Sequence, residues 1–596
     1  MKISAKLAQE PTIFLLKKMW KYAKGHRHLV LIFTGMFILA QLTLLLSPLL
    51  FGVIINEIQA NGVTDNNLTH IIILLLGFVA IDLGFWIFHG PARLLENIAA
   101  FRSERNYREH LLSGVLNLGL SWHSTHDSGD TIDKVNNASM GMYRFSSFIF
   151  LIIEVLIKVI GTTAILFFFN VYLGSIALGL VILALIIIFL FDVRLIPQYK
   201  ALNNFYNKIS AVTFDSISNI TTVKALQIEK PVFKNIHHAL WKPFQLFKKN
   251  NALSEAKWFA GSLMFSVILV LPIIAYLYSS HKNQTPIEVG TISTIYLYLA
   301  NLIGVYFTFT SHYSQIILNK TLVVNALPIE EAITKDLRAE KKPVKPWQKI
   351  AVQNLSFKYE DDIDGTHHIK NISLEFSRGE KVALIGESGA GKSTFLKVLH
   401  GMYPSATTEM SFDDNPSKKI NISEINLKTT LVPQEPEIFS ASIKENLTLG
   451  LTFKAKNIDK ATKMAVFKSV INALPQGLNS IINEKGVNLS GGQKQRLALS
   501  RALLFAEEKE IILLDESTSS VDPENELKIY KNIFKNFQGK TILASIHKMN
   551  LLKYFDRIII FSQGKIIDQG TFAELLDKNP KFRKDWEDYI KQDSGL

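Results

Sequence analysis

Apolar positions are distributed unevenly along the chain. Six nearly unbroken apolar runs fall at about 29–55, 68–92, 146–169, 171–196, 258–279 and 289–318, and most reach the roughly 20 residues a helix needs to cross a hydrocarbon core. Two are interrupted: the second by Asp82 and by His89-Gly90-Pro91, the third by Glu154 and Lys158. The third and fourth are separated only by Asn170, which predicts a tight hairpin. From about 340 to the end the pattern changes to short apolar segments alternating with charged ones, as in a water-exposed α/β domain. Between the runs lie two long polar stretches, 93–145 and 194–257, poor in Pro and Gly and helical in period. They predict helices that continue some 30 Å beyond the membrane for every 20 residues. Residues 12–25 read as a basic amphipathic helix lying in the interface, or as an ordinary cytoplasmic helix.

The expected organisation is an amphipathic elbow at 1–28, a six-helix transmembrane domain at 29–325, a linker at 326–346 and an α/β phosphate-loop domain at 347–596. The fold class is a multidomain membrane protein, all-α in its first half.

Charge sets the orientation. The net charge is +13. Residues 1–28 carry Lys2, Lys6, Lys17, Lys18, Lys21, Lys24 and Arg27 against Glu10, and 194–257 holds ten Lys and Arg. Loop 56–67 has Glu57 and Asp65 with no Lys or Arg, and 280–288 has one cation, Lys282. Basic loops stay inside, so both termini are expected in the cytoplasm. The basic balance is then explained by the membrane, with no nucleic-acid partner. The N-terminus lacks the cleavage pattern of a signal peptide or an Arg/Ser-rich leader, which suits an integral protein of a bacterial plasma membrane. The sequence contains no cysteine, which excludes disulfides and thiolate chemistry.

Charges inside spans invite two readings. Asp82 and Lys158 should lie at matching depth, and Glu154 and Lys158 are four apart on one helix face. They form either a self-neutralised structural cluster or a polar substrate or ion site. Tyr306, Phe309 and Tyr313 share a face of the sixth run and either line a cavity or pack helices.

The chemistry lies in the second half. Gly386-Glu387-Ser388-Gly389-Ala390-Gly391-Lys392-Ser393 fits G-x-x-x-x-G-K-[ST], after the apolar strand Lys381–Ile385 and before a helix opening at Thr394. Such a loop cradles phosphates with backbone N–H groups, its Lys reaches the β/γ-phosphates and its Ser ligates Mg²⁺. Glu510–Glu516 is an apolar strand ending in two carboxylates: Asp515 is placed to hold Mg²⁺ and Glu516 to polarise a water. A second glycine turn, Leu489-Ser490-Gly491-Gly492-Gln493, opens another helix whose free amides form an anion site.

These two motifs together resemble the ATP-binding cassette family, whose LSGGQ signature Leu489–Gln493 matches. With six spans fused ahead, the whole chain resembles a P-glycoprotein-like exporter half-transporter. The resemblance implies ATP and Mg²⁺ as cofactors, ATP hydrolysis coupled to transport, and a second copy of the chain whose signature seals the phosphate-loop site. By it, Tyr359 stacks on adenine, and Gly386 through Thr394 hold the phosphates together with the partner's copies of Ser490, Gly491, Gly492 and Gln493. Ser393, Gln434 and Asp515 meet Mg²⁺, and Glu516 is the general base. His547 contacts the γ-phosphate. Ser519-Ser520-Val521-Asp522 resembles the D-loop, although the family more often has Ala second and Leu third. Asn483-Glu484-Lys485-Gly486 resembles the segment that meets the partner's coupling helices. Ser124–Asp130 and Thr213–Asn219 are coupling elements by position. The cargo implied by apolar walls and membrane charges is an amphiphile: a lipid, glycolipid, hydrophobic peptide or drug. The alternatives are one subunit of a heterodimer and a regulatory or gating role.

Overall fold

A computed structural model describes residues 10–336, 347–359, 368–403, 409–412, 425–426, 428–483 and 488–593. The chain divides into two compact units, Met1–Leu118 with His126–Asp336 and Gly119–Thr125 with Leu337–Leu596.

The first unit is helical. Helix α1 (Pro11–Tyr22) leads to α2 (Arg27–Leu44), α3 (Leu46–Asn61) and α4 (Leu68–Asn117), after which the short α5 (Leu120–Thr125) is grouped with the second unit. Then follow α6 (Ser128–Ser146), α7 (Ile149–Phe169), α8 (Val171–Ser218), α9 (Ile220–Ala225), α10 (Glu229–Trp241), α11 (Phe244–Lys282), α12 (Val289–Asn325) and α13 (Leu327–Asp336). Six helical stretches among the described residues are long and apolar enough to span a membrane. The amphipathic reading of the first helix holds: Leu15, Met19 and Tyr22, at i, i+4 and i+7, are its buried residues.

His89-Gly90-Pro91 does not break the second run. Helix α4 is continuous for 50 residues through Pro91, about 75 Å at 1.5 Å per residue. A proline removes only one amide donor, and the surrounding helix carries it. The hairpin at Asn170 is as expected: its backbone is extended (φ −163°) and its side chain accepts from the amides of Tyr172 and Leu173, starting α8. The third span begins at Ile149 rather than 146 for a tertiary reason. Glu96 of α4, wholly buried, accepts from the Phe150 amide (2.9 Å), and Arg93 binds the Ser147 carbonyl (2.9 Å) while ion-pairing with Glu96. The segment expected as linker carries α13. There Glu330 takes Lys18 of α1 (2.6 Å) and the Tyr107 hydroxyl of α4 (2.9 Å), tying three elements together.

The membrane charges pair along one helix, as the four-residue spacing predicts. Lys158 binds Glu154 on its own helix (2.6 Å), whereas Asp82 stands exposed on α4 outside that pair. Depth along a helix places two residues at one level but not on facing sides, and the helical rotation set by packing separates them. The pattern of runs also missed a buried pair between helices, Lys257 of α11 and Asp192 of α8, at 2.8 Å with each side chain under 5% exposed.

The second unit contains two sheets. Strands β1 (Lys349–Phe357), β2 (Ile369–Ser377) and β4 (Glu409–Phe412) form an antiparallel sheet in the order β2-β1-β4. Strands β3 (Lys381–Gly386), β5 (Thr429–Val432), β6 (Ile511–Asp515), β7 (Thr541–Ser545), β8 (Arg557–Ser562) and β9 (Lys565–Gly570) form a sheet ordered β5-β6-β7-β3-β8-β9, parallel except for β9. Residues Ile511–Asp515 and Thr541–Ser545 are buried throughout, as strands covered on both faces require. Helices α14 (Lys392–Leu399), α15 (Gly491–Phe505) and α16 (Pro523–Asn536) complete the elements that carry the site.

His400, just past α14, makes this unit sensitive to acid. Its Nδ1 lies 2.6 Å from the Thr429 hydroxyl, and burial, with Lys509 nearby, pushes the imidazole down to about 4. The unfolded chain takes up a proton near the ordinary histidine value of about 6.5. The stabilisation is therefore complete above that pH and is lost as pH falls from about 6.5 to about 4, by roughly 3 kcal/mol in all. Replacing His400 with Gln should flatten the fall of the unfolding midpoint between pH 7 and 5, which a pH series of thermal melts will measure.

Candidate functional site

The parallel strands place four chemically loaded loops at one edge. The phosphate loop follows β3, Gln434 follows β5, Asp515 ends β6 with Glu516 next, and His547 follows β7. This carboxyl edge is where open α/β sheets bind ligands.

Around the loop itself, backbone geometry explains the glycines. Gly391 (φ +101°) caps α14, and a Cβ there would lie 2.9 Å from the His368 carbonyl. Gly391→Ala therefore adds both a disfavoured dihedral and a backbone clash, together on the order of 1–3 kcal/mol. Nucleotide affinity should fall about tenfold or more, as equilibrium titration with a fluorescent ATP analogue will show. Lys392 is 4% exposed and donates to the carbonyls of Gly386 (2.8 Å) and Glu387 (3.1 Å). Burial holds its ammonium below the ordinary lysine value, with Glu516 and Asp515 pulling the other way. Ser388 and Gly389 complete the turn, Ala390 is buried, and Thr394 meets the Tyr359 hydroxyl (3.2 Å). Tyr359 stands edge-on to Phe357, His368 and Tyr403, one ring of an aromatic group beside the loop.

Two carboxylates occupy distinct surroundings. Asp515 is fully buried: one oxygen accepts from the Ser393 hydroxyl (2.7 Å), and the other, Oδ2, has no hydrogen-bond partner among the described residues. Burial raises its pKa, opposed by the Ser393 bond and by Lys397 and Lys392. A desolvated carboxylate with an unpaired oxygen beside a hydroxyl suits a hard divalent cation, which restores the ionised form. Glu516 is held at both oxygens, by Gln434 Nε2 (2.7 Å) and His547 Nε2 (2.5 Å). Its backbone is left-handed (φ +45°), a conformation costly for a side chain with a Cβ. The strand-to-turn change therefore falls on the residue after Asp515 and turns its side chain toward Gln434 and His547.

The second glycine turn does not join this cluster within one chain. Ser490 caps α15, accepting from the Gln493 amide while Gln493 reaches back to the Ser490 amide. Gly491 and Gly492 lie against Ser520: a Cβ on Gly492 would meet the Ser520 carbonyl at 2.7 Å. No hydrogen bond among the described residues links Ser490–Gln493 to Gly386–Thr394. Of Asn483–Gly486, residues 484–486 lie outside the described residues.

Sequence reading missed the residues that hold these loops together. Gln495, nearly buried, donates to Ser519 Oγ (2.9 Å) and accepts from the Ser520 amide (2.8 Å), joining α15 to the turn before α16. Glu526 takes the Thr518 hydroxyl and Lys548, both at 2.7 Å, so the turns after β6 and β7 share one carboxylate. Gln495 is in line with buried Ala498 and Leu499, and Glu526 with buried Ile529, Tyr530 and Ile533, so helical period predicts their burial but not the loops they join. Only the fold reveals them.

Comparison with known proteins matches both halves of the chain. The family model "ABC transporter transmembrane region" matches residues 30–306, and "ABC transporter" matches 369–519. Heavy metal tolerance factor 1 of Caenorhabditis elegans is 28% identical over 502 residues, 82% of this chain and 61% of that protein. The mesentericin-Y105 transport/processing ATP-binding protein MesD of Leuconostoc mesenteroides is 30% identical over 484 residues, 78% and 63% respectively. An uncharacterized ABC transporter ATP-binding protein of Bacillus subtilis, YknU, is 25% identical over 530 residues, 85% and 87%. The chain thus spans about three fifths of the length of some of these relatives. A solved bacterial Atm1-family ABC exporter with ATP bound superposes with a TM-score of 0.81 at 21% identity, covering 94% of this chain and 98% of the other, a likeness of fold. With both family regions fused in one chain, six helices able to span a membrane and the phosphate-loop and LSGGQ motifs in place, the chain belongs to the ABC transporter family, with the fold of its exporters.

Proposed function

We propose that this protein is one half of an ATP-driven exporter that moves an amphiphile out of the cytoplasm or inner leaflet. The observation carrying the reading is Glu516, held between Gln434 and His547 one residue beyond Asp515, in a chain fused to six spans. Glu516 accepts the proton of the attacking water. His547 orients that carboxylate and meets the terminal phosphate, and Lys392 neutralises phosphate oxygens once it leaves the loop carbonyls. Tyr359 packs on the base, and Gly386 to Thr394 enclose the phosphates. Mg²⁺ fits Ser393, Asp515 and Gln434, and when bound it supplies positive charge against the phosphates.

Because Ser490–Gln493 points at its own D-loop rather than at its own phosphate loop, a second copy of the chain supplies the opposing signature. ATP then draws two copies together and turns the membrane cavity outward, and hydrolysis resets it. Boundaries follow the sequence: elbow to residue 28, spans to 325, connector to 346, nucleotide domain beyond. The protein sits in a bacterial plasma membrane, in contact with its lipids, with both termini in the cytoplasm. The relatives' names, heavy metal tolerance and mesentericin transport/processing, differ enough that cargo must be argued from this chain's own walls.

The test uses the cysteine-free background. Ser388→Cys with Ser490→Cys should cross-link between copies when ATP is present, and proteoliposomes of the unmodified chain should export an amphiphile at the expense of ATP. Absence of both cross-link and turnover in the purified single chain points instead to an obligate different partner. Cross-linking without transport, alongside ATP-gated conductance, points to a gating role.

A further inference from the structure

Past the end of β7 the chain leaves the sheet. The Ile546 amide still donates to the Leu384 carbonyl of β3 (3.0 Å), and Ile546 is buried. His547 follows with its side chain 47% exposed, and among the described residues its ring has one hydrogen-bond partner, Glu516. A half-exposed ring with a single partner is not locked by its own packing, so the chain on either side must place it. The next tie after Ile546 is the side chain of Lys548. Its Nζ lies 2.7 Å from Glu526 Oε2 and donates to the Val521 carbonyl (3.2 Å).

Glu526 is the pivot of these contacts. It is buried on α16, and its Oε1 accepts from the buried Thr518 hydroxyl (2.7 Å). A carboxylate so desolvated is retained only with partners, and Lys548 is its ion-pair partner among the described residues. Capping does not explain it, because Asp522 already caps α16 by accepting from the Asn525 amide. Thr518 and Val521 belong to the turn that follows Glu516. There the Ser519 amide donates to the Glu516 carbonyl (3.1 Å) and the Val521 amide to the Thr518 carbonyl (2.9 Å). The contacts therefore close a ring. It runs from the Glu516 backbone through the turn to Thr518 and Val521, across Glu526 and Lys548 to His547, and back to the Glu516 carboxylate. Gln434 holds the other Glu516 oxygen from outside that ring.

We propose that Lys548 and Glu526 are positioning residues for ATP hydrolysis: their ion pair fixes His547 against Glu516 by anchoring it to the turn at 518–521. Neither residue reaches the reacting atoms. Without the pair, the chain after Ile546 loses its next tie, His547 moves off Glu516, and the carboxylate keeps Gln434 alone. The assignment rests on the hydrolytic reading of Glu516 and His547.

The test uses the full chain in nanodiscs, with turnover measured across ATP concentrations beside equilibrium ATP binding. Lys548→Met, which keeps the stem and removes the charge, should lower kcat about 10- to 100-fold, the scale of a group misplaced near the reacting atoms, with KM for ATP within about twofold. Glu526→Gln, which still accepts from Thr518, should do the same, and Lys548→Arg should restore turnover to within a few fold of the unmodified chain. In a His547→Ala background Lys548→Met should cost no more than about twofold further, because no ring is left to place. Loss of ATP affinity in step with turnover, an equal further loss in the His547→Ala background, or no loss in Lys548→Met overturns the assignment. Hydrogen exchange on the same proteins gives a readout independent of turnover. Lys548→Met should loosen 516–521 and 547–549 together, and unchanged protection at both overturns the assignment as well. An unmodified chain that binds ATP without hydrolysing it overturns the hydrolytic reading, and the exchange result then decides by itself whether the pair anchors His547.

Discussion

Glu516→Gln should abolish steady-state ATP turnover, lowering kcat by about 10²- to 10⁴-fold, the range a positioned general base supplies. ATP binding should survive, because the groups that meet phosphate and base are untouched. The substitution is conservative here for a structural reason. Gln434 donates to one Glu516 oxygen and His547 to the other. A glutamine can still accept from Gln434 through its amide oxygen and presents an NH₂ to His547, whose neutral ring can accept. The backbone at φ +45° is as demanding for Gln as for Glu, so the turn should not move. What disappears is the basic carboxylate. Phosphate release assayed in nanodiscs beside equilibrium ATP binding separates the two quantities. A loss of binding equal to the loss of turnover would make Glu516 a structural residue of the turn. Turnover within a few fold of the unmodified chain would assign the base elsewhere.

The second large effect concerns stability. Asp192 and Lys257 form a buried pair between α8 and α11 at 2.8 Å, Asp192 lying about 30 Å along α8 from Val171, far from the hairpin at Asn170. Asp192→Ala leaves the ammonium of Lys257 buried without a partner, a loss of about 3–5 kcal/mol. Asp192→Leu with Lys257→Met removes both charges and should recover most of it or exceed the original stability. Thermal unfolding of the single and double variants tests this. Additive losses would show that the two residues do not act as a pair. Asp192 Oδ2 has no hydrogen-bond partner among the described residues, consistent with a cost to keeping the pair.

Much of the site was legible because its determinants are local. A phosphate loop needs a strand, glycines at fixed offsets, Lys and Ser, then a helix, all within a dozen residues, and Gly391 at φ +101° shows why the offset cannot change. The Asp515-Glu516 ending and the Ser490 cap are likewise written in neighbouring residues. Spans were legible because a bilayer demands uninterrupted apolar length. What the sequence alone determined, then, is the six spans, the hairpin at Asn170, the nucleotide motifs and their order. Tertiary structure alone decided which distant residues meet. Asp192 found Lys257, and Gln495 and Glu526 fastened loops from different strands, whereas the Glu154–Lys158 pair is local and was already legible in the four-residue spacing. Tertiary structure also decided that α4 would run unbroken through Pro91 and that α7 would start at Glu96's carboxylate rather than where its apolar run begins. The physical reason is common to all of these: helix period and hydropathy state how far along an element a residue lies, but its rotation toward a neighbour is set by packing between elements far apart in sequence.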